Sequence, residues 1–418
     1  MFPTLFPLKA FLLPLSQNPW TYVVFGLIGF GFGFVLEISG FGNSKILAAQ
    51  FYFKNLTVLK VMFGAIVTAM VLIFLSSALG ILDFNLVYVP ETHLWPGLLG
   101  GVIMGVGFIV GGFCPGTALV SASTFKVDGI VFSLGAAVGV WAFGETVQPV
   151  WNWWNNSGYY GRLTLMDVFQ LPTGVVVLLV VLMALFMFWG GEKLEAKFGK
   201  KDLTKEPKLR YFAAASLVLV AIVVLVLGQP TVTQKWAAVE AQKAPLLEQR
   251  AVQIHPGELL ASLGDDKLNI IMLDVRGEAD YNLFHIHGAV NIPLQNILSV
   301  VPALLTQSQT STSTVVVLMS NDETAATEAW KVLVAEAVPN VYILEGGINN
   351  WISVFGIEET AIHRQPTIAG DDQLRYIFEA ALGDRYPAAD PVPYEWTLQY
   401  TPKIQLQNRR GVSGGGCG

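Results

Sequence analysis

Cysteine is scarce in this chain, which has two in 418 residues, Cys114 and Cys417. They lie in different kinds of sequence, so we expect no structural disulfide. Charged residues are also scarce, at 13% of the chain, and the net charge of −6 argues against a polybasic surface for nucleic acid. No motif for a metal or another cofactor is present, and we expect neither.

The few charges are unevenly distributed. Residues 1–191 contain twelve charged side chains, whereas the chain after 250 has the composition of an ordinary soluble protein. We therefore predict a membrane domain over 1–228 with about six spans, each near the roughly 20 residues needed to cross a bilayer. The predicted spans are 20–38, 57–80, 95–113, 128–149, 171–190 and 211–228.

One apolar run ends in a break that contains the first cysteine. The run reaches Gly112, and Cys114, Pro115, Gly116 and Thr117 follow. Because proline and glycine both interrupt helices, we expect a helix to stop here and present sulfur and free backbone groups. Irregular backbone at membrane depth is tolerated where it is buried in protein or lines a cavity. The break is therefore a candidate for a transport pathway.

The break belongs to an internal repeat of 72 residues. GFG (40–42) falls on GFC (112–114), and FK (53–54) falls on FK (125–126). We expect re-entrant segments over 43–53 and 115–126, since transporters built from repeats bring broken helices together at a midplane site. The alternative is two glycine-rich helices packed through small residues.

Polar groups cluster at the starts of the two short segments. Asn43, Ser44, Lys45 and Thr117 are side-chain donors there, and helix N-termini favour anions. A thiol is soft and suits a sulfur ligand better than a hydroxyl does. The alternative is that Cys114 is an ordinary small buried residue.

Glu37 lies inside the first span, three residues before Gly40. A carboxylate within a span is costly and is a functional candidate by default. Two interpretations stay open: Glu37 carries a proton coupled to anion movement, or it pairs with Lys45 or Lys54 as a structural clamp.

Two segments, ISGFGNSKILAAQFY (38–52) and GFCPGTALVSASTFKVDG (112–129), resemble the YeeE/YedE sulfur-transport family, and the resemblance covers roughly residues 20–150. It implies a polytopic channel in the bacterial inner membrane, where thiosulfate passes by transient contacts with thiols, a role that falls on Cys114. The family often has a cysteine where this chain has Gly42, so a single pathway thiol remains. A homo-oligomer would bring a second copy of Cys114 nearby.

From 251 to 356 the pattern alternates between strands and helices. Buried strands over 268–276 and 314–320, and a strand leading to a Gly-Gly turn over 340–352, predict an α/β domain with a parallel sheet. These segments resemble a rhodanese domain. The resemblance gives Asp274 and Arg276 structural roles.

The loop that would hold the rhodanese nucleophile has lost its thiol. By this resemblance, Met319 stands at the catalytic cysteine position, and a thioether forms no thiolate. Two acidic residues in the loop would also repel an anionic persulfide. We therefore expect this domain to have no sulfurtransferase activity of its own. The degenerate loop comprises Met319, Ser320, Asn321, Asp322, Glu323, Thr324 and Ala325.

Two further segments complete the predicted organisation: a linker over 229–250 and a C-terminal extension over 357–418. The extension ends in GGGCG, a flexible tether that would keep Cys417 exposed. This tail resembles the carrier arm of the periplasmic sulfur-carrier subunit of the Sox sulfur-oxidation system, which implies sulfur carriage by Cys417. The alternative is a tail with an incidental cysteine.

Basic residues predict the orientation. The loop 192–210 holds seven Lys or Arg, which places it in the cytoplasm by the positive-inside rule. The span 211–228 then carries the chain outward, so the region after 229 is expected to be periplasmic or extracellular.

Three functions remain in view. The first is a channel or transporter for thiosulfate or a related sulfane-sulfur anion, with a non-catalytic rhodanese-like domain and a thiol arm that captures or delivers cargo. The second is a membrane-anchored sulfurtransferase or persulfide carrier that uses Cys417 and transports nothing. The third is a non-catalytic scaffold that docks a soluble, periplasmic sulfur-carrier protein. Repeats with broken helices favour transport, because an anchor needs only one span.

Overall fold

The computed structural model describes residues 20–200, 208–356, 363–364, 372–378 and 383–406. The chain folds as two compact units that divide near Pro230. The first is helical, and the second is an α/β domain on a parallel sheet, which confirms the predicted fold class.

The first unit contains the six predicted apolar segments as helices. Among the residues that the structure describes, five helical stretches are apolar and long enough to cross a membrane, with Leu94–Ser123 counted as one, whereas the apolar helix Tyr22–Ile38 is shorter. The helices are α1 Trp20–Ile38, α2 Ser44–Ala48, α3 Thr57–Ala78, α4 Leu94–Gly111, α5 Pro115–Ser123, α6 Val127–Thr146, α7 Trp151–Asn156, α8 Leu165–Phe169, α9 Thr173–Phe198 and α10 Leu209–Leu227.

Helices α3, α9 and α10 form one packed core. Val71, Val177 and Val224 are buried in it together. The helices approach closely at Gly174, where an added Cβ would lie 2.6 Å from the Cα of Leu225. Small residues allow such close contact between membrane helices.

A buried carboxylate ties the end of α9 to the start of α3. Glu195 is fully buried, forms an ion pair with Lys60 and accepts the backbone N–H of Leu56 at 2.7 Å. It thus satisfies a donor that the start of a helix leaves without an intrahelical partner.

The second unit is built on a five-stranded sheet in the order β1-β5-β4-β2-β3, and every pair in it is parallel. Asp274 pairs in register with Met319, so the loops after β2 and β4 leave the sheet side by side. The sheet strands are β1 Gln253–Ile254, β2 Asn269–Asp274, β3 Val290–Asn291, β4 Thr314–Met319 and β5 Val341–Leu344. The helices are α11 Val232–Glu248, α12 Pro256–Leu263, α13 Glu278–Leu283, α14 Val301–Thr310, α15 Thr324–Ala335 and α16 Gly347–Phe355.

The segment 229–250 is not the linker that the sequence predicts. It contains α11, which opens with a reciprocal cap between Thr231 and Gln234 and buries Val239 in the core of the α/β domain. Trp236 packs edge-on against Trp330 at 6.0 Å between ring centroids. The sequence conceals this helix because most of its surface is polar and few of its residues are buried.

The described part of the C-terminal extension packs onto the α/β domain. The indole of Trp351 donates to the carbonyl of Ala388 at 2.7 Å, and Phe378 stacks on Phe284. Two short antiparallel strands, β6 His363–Arg364 and β7 Tyr376–Ile377, lie in this extension. It is therefore part of the domain fold along this stretch.

Candidate functional site

The two repeats share an unusual backbone at equivalent positions. Gly40 and Gly112 have φ of +79° and +72°, and Phe53 and Phe125 have φ of 53° and 59°. Both pairs are 72 residues apart, and the left-handed region is uncommon for phenylalanine. The backbone therefore follows the repeat seen in the sequence.

The breaks of the two repeats meet. Phe41 and Phe113, the residues after the left-handed glycines, are almost fully buried in one cluster. An added Cβ on Gly112 would lie 3.0 Å from the Cβ of Ser44, so the second break lies against the start of α2. This arrangement brings the predicted pathway residues of both repeats together.

Cys114 is the N-cap of α5. Its sulfur accepts the N–H of Thr117 at 3.5 Å and lies 3.2 Å from the Thr117 hydroxyl, while its own N–H donates to that hydroxyl at 3.0 Å. Pro115 occupies the first helical position, where its missing N–H costs nothing. The thiol therefore lies at the N-terminus of α5, where a weak N–H···S hydrogen bond holds it.

The position that a side chain would take at Gly116 is unoccupied. No atom of the described residues lies within 4 Å of an ideal Cβ placed there, apart from its chain neighbours and its own helix backbone. The first turn of α5 therefore leaves room beside the thiol.

The polar residues of the first break have more specific contacts than the sequence indicates. Asn43 caps α2 by accepting the N–H of Lys45 at 3.0 Å, and Ser44 donates to Asp128 at 3.3 Å. Lys45 is exposed. Asn43 and Ser44 therefore help to hold the break together.

Glu37 pairs with Lys126 at 3.3 Å, and not with Lys45 or Lys54 as the clamp hypothesis expects. The pair encloses Gly42, where an added Cβ would lie 2.5 Å from Oε2 of Glu37 and 2.9 Å from Nζ of Lys126. Lys45 and Lys54 are nearer to Glu37 in sequence than Lys126 is, but the fold brings the second repeat onto the first. The repeated Phe-Lys pair was the available signal for Lys126.

The rhodanese-like loop begins at Met319, which is fully buried at the end of β4. The loop amides bind the chain's own side chains. The N–H of Asp322 donates to Asp372 at 2.8 Å, that of Thr324 to Asp322 at 2.6 Å, and that of Ala326 to the Ser320 hydroxyl at 3.2 Å. The domain's own oxygen atoms thus occupy these three donors.

The pKa values of Asp322, in this loop, and of the neighbouring Asp372 are shifted in opposite directions. Burial raises the pKa of Asp372 to about 6. The hydrogen bond from the N–H of Asp322 opposes this shift, whereas the side-chain hydrogen bond and the charge of Asp322 act in the same direction as burial. Burial opposes ionisation of Asp322 as well, but hydrogen bonds from Thr324 and Asp372 outweigh it and lower its pKa. Asp372 was not a predicted site residue, since it lies 50 residues beyond Asp322.

Glu323 faces away from this pair and accepts from the N–H of Gly346 at 2.7 Å and from Arg250. On the other side, the guanidinium of Arg276 forms a buried ion pair with Asp274 and donates to Asn321 at 2.9 Å. These bonds anchor the loop at both ends. Ala325 lies in the first turn of α15 and packs against the core.

Cys417, the predicted sulfur carrier, lies outside the described residues. Cys114 is a free cysteine.

Residues 38–254 match the Sulphur transport family, and residues 255–353 match the Rhodanese-like domain. A relative from Spirochaeta thermophila, named thiosulfate transporter TsuA, is 26% identical over 216 residues, which cover 47% of this chain and 60% of the relative. This chain thus spans less than two thirds of that relative. No solved structure matches the chain. The first match covers more than half of the chain and extends past the range 20–150 of the sequence resemblance. The chain is a multi-pass membrane protein that belongs to the Sulphur transport family and carries a rhodanese-like domain.

Proposed function

We propose that the protein carries a small sulfur-containing anion, thiosulfate or a related sulfane-sulfur species, across the membrane past Cys114. The observation that carries the proposal is the position of this thiol at the start of α5, in a break packed against the break of the other repeat. The name of the Spirochaeta thermophila relative supports thiosulfate as the first substrate to test.

The chemistry of the break suits a sulfur anion. The N–H of Thr117 donates to the Cys114 sulfur, which is a weak acceptor, and the Thr117 hydroxyl lies 3.2 Å from that sulfur and donates to the Cys114 carbonyl. An incoming anion would accept stronger hydrogen bonds from these donors than the thiol does, because hydrogen bonds to charged acceptors are roughly twice as strong as neutral ones. In this proposal, the N–H of Thr117 changes its acceptor from the Cys114 sulfur to the substrate.

The rhodanese-like domain acts in this proposal without sulfurtransferase chemistry. It has Met319 where the nucleophile would stand, and carboxylates accept two of the loop amides that a persulfide would need. Its role is to dock a soluble sulfur-carrier protein outside the cytoplasm.

Orientation is part of the proposal. The basic segment 192–210, which includes the end of α9 and the start of α10, faces the cytoplasmic side of the bacterial inner membrane, and the α/β domain lies on the outer side. Alkaline phosphatase fused after Trp351 should then be active. An inactive phosphatase together with an active cytosolic reporter at the same site reverses the orientation.

The C-terminal thiol completes the proposed pathway. Cys417 captures or delivers sulfur at the outer surface, since a random coil of eight Gly-rich residues spans only about 15 Å. Mass spectrometry after thiosulfate exposure should show added sulfur on the C-terminal peptide, and deletion of 411–418 should lower uptake. An unmodified peptide and unchanged uptake would show that the tail carries nothing.

The experiment that tests transport uses the full-length protein in proteoliposomes with radiolabelled thiosulfate. Uptake should saturate, exceed that of empty vesicles and fall when unlabelled thiosulfate is added in excess. Sulfate, which lacks the sulfane sulfur, should compete poorly. Uptake no greater than that of empty vesicles for thiosulfate and for polysulfide rejects the proposed function.

A further inference from the structure

The two repeats place different chemical groups at equivalent positions. Cys114 and Gly42 correspond in the 72-residue register, yet the space beside Gly42 is filled by the charged ends of Glu37 and Lys126. A thiol at position 42 would overlap both of them. The first repeat therefore has an ion pair where the second has a thiol.

The ion pair is accessible. Glu37 and Lys126 each leave 42% of their side chain exposed, in contrast to Glu195, which is fully buried in its ion pair with Lys60. An ammonium has three donors, and the bond to Glu37 uses one of them. Charged groups within membrane segments are costly and are rare without a partner or a function.

The pair breaks the symmetry of the repeat. Lys126 corresponds to Lys54, whose ammonium lies 6.0 Å from the ring centre of Tyr52, and Glu37 corresponds to Ile109. A clamp required by the fold of each repeat would recur in both. Here the carboxylate occurs once, and it faces a lysine of the other repeat.

We propose that Lys126 is the cation that the transported anion meets between the two breaks, and that Glu37 is the resident counter-charge which the anion displaces. This inference rests on the proposed function. A dianion replaces one carboxylate charge on the ammonium with two, so it competes with Glu37 more effectively than a monoanion does. Glu37 thereby selects for dianions, and Lys126 supplies the affinity.

Opposite shifts distinguish this role from a structural clamp. In the proteoliposome assay, Lys126→Gln should raise the KM for thiosulfate about tenfold or more, since a charge partner is lost. Glu37→Gln should lower the KM about threefold, because Lys126 loses its competitor. Thiocyanate, a monovalent sulfur anion, should inhibit Glu37→Gln more strongly than wild type.

Two controls come from the chain itself. Lys126→Arg keeps the charge and should keep the KM within about twofold. Lys54→Gln removes the repeat-equivalent lysine and should leave the KM unchanged. All rates are divided by the amount of protein in the vesicles, so a variant that inserts poorly still reports its KM.

The outcomes separate the two levels of the proposal. If wild type transports thiosulfate but both neutral variants lose rate at unchanged KM, the pair is a clamp and this inference is wrong. If Lys54→Gln shifts the KM as Lys126→Gln does, the effect is general surface charge and the inference is again wrong. If wild type does not transport, the proposed function and this inference both fall.

Discussion

The membrane break and the rhodanese-like loop differ in the acceptors that their N–H groups meet. At the membrane break, the N–H of Thr117 donates to the sulfur of Cys114 at 3.5 Å. In the rhodanese-like loop, the N–H groups of Asp322 and Thr324 donate to carboxylates at 2.8 and 2.6 Å. Charge-assisted bonds are the stronger ones, so we expect a sulfur anion to displace the contact at the break more readily than those in the rhodanese-like loop.

The two loops therefore differ in how available their donors are. We expect the break, whose helix cap is a weak acceptor, to leave its donors available to a ligand. In the rhodanese-like loop, carboxylates of the same domain already accept two of the N–H groups. The following predictions test the two halves of this contrast.

The largest effect is expected at the thiol. Cys114→Ser keeps the size and the helix cap but removes the soft atom, so thiosulfate uptake should fall by more than about tenfold, the loss from a barrier raised by about 1.4 kcal/mol. Membrane insertion should persist because serine is a good N-cap. Uptake equal to wild type would remove Cys114 from the pathway.

Closure of the rhodanese-like loop depends on Gly347. Its φ is +63°, and an added Cβ would lie 1.9 Å from the carbonyl oxygen of Asp322. Gly347→Ala should therefore lower the free energy of unfolding of a fragment beginning at Thr231 by about 2 to 4 kcal/mol.

The matched control for this change is Gly264→Ala, where the added Cβ meets only an ordinary contact at 3.6 Å and φ is −86°. Its effect should stay within about 0.5 kcal/mol. Equal losses in the two variants would contradict the close packing at Gly347.

The carboxyl pair makes the loop sensitive to pH. The folded-state pKa of Asp372, about 6, exceeds its ordinary value of 3.8, so the folded loop binds this proton more tightly than the unfolded chain does. The stabilisation is complete below about pH 3.8 and is lost as the pH rises through about 6. Asp372→Asn should flatten this dependence in hydrogen exchange of the loop amides, corrected for intrinsic rates.

Asp265→Asn serves as the control, since Asp265 is an exposed carboxylate outside the loop. That variant should keep the wild-type pH dependence. A slope that survives in Asp372→Asn would assign the titration to another group.

The smallest change is expected from Met319→Cys. It introduces a thiol at the end of β4, but Asp372 and Asp322 still accept the N–H groups of Asp322 and Thr324. Thiosulfate:cyanide sulfurtransferase activity of the full-length variant should remain at background. Turnover clearly above that of wild type would show that the carboxylates yield to a persulfide.

Much of the architecture follows from local patterns in the sequence. Long apolar runs predict the spans because a bilayer requires about 20 apolar residues in a row. Buried runs such as 314–320 predict the strands of the parallel sheet, and the structure confirms them. Cys114-Pro115-Gly116 predicts a helix boundary, because proline favours the first helical position.

What the sequence by itself determined is therefore the set of spans, the repeat, the rhodanese-like pattern and the position of the thiol, all of which depend on near neighbours along the chain. Only the tertiary structure decided that Lys126 reaches Glu37, that Asp372 occupies the amide of Asp322, and that α11 packs on the α/β domain. Those contacts join residues far apart in sequence. Their partners are determined by tertiary packing, which leaves no periodic pattern in the sequence.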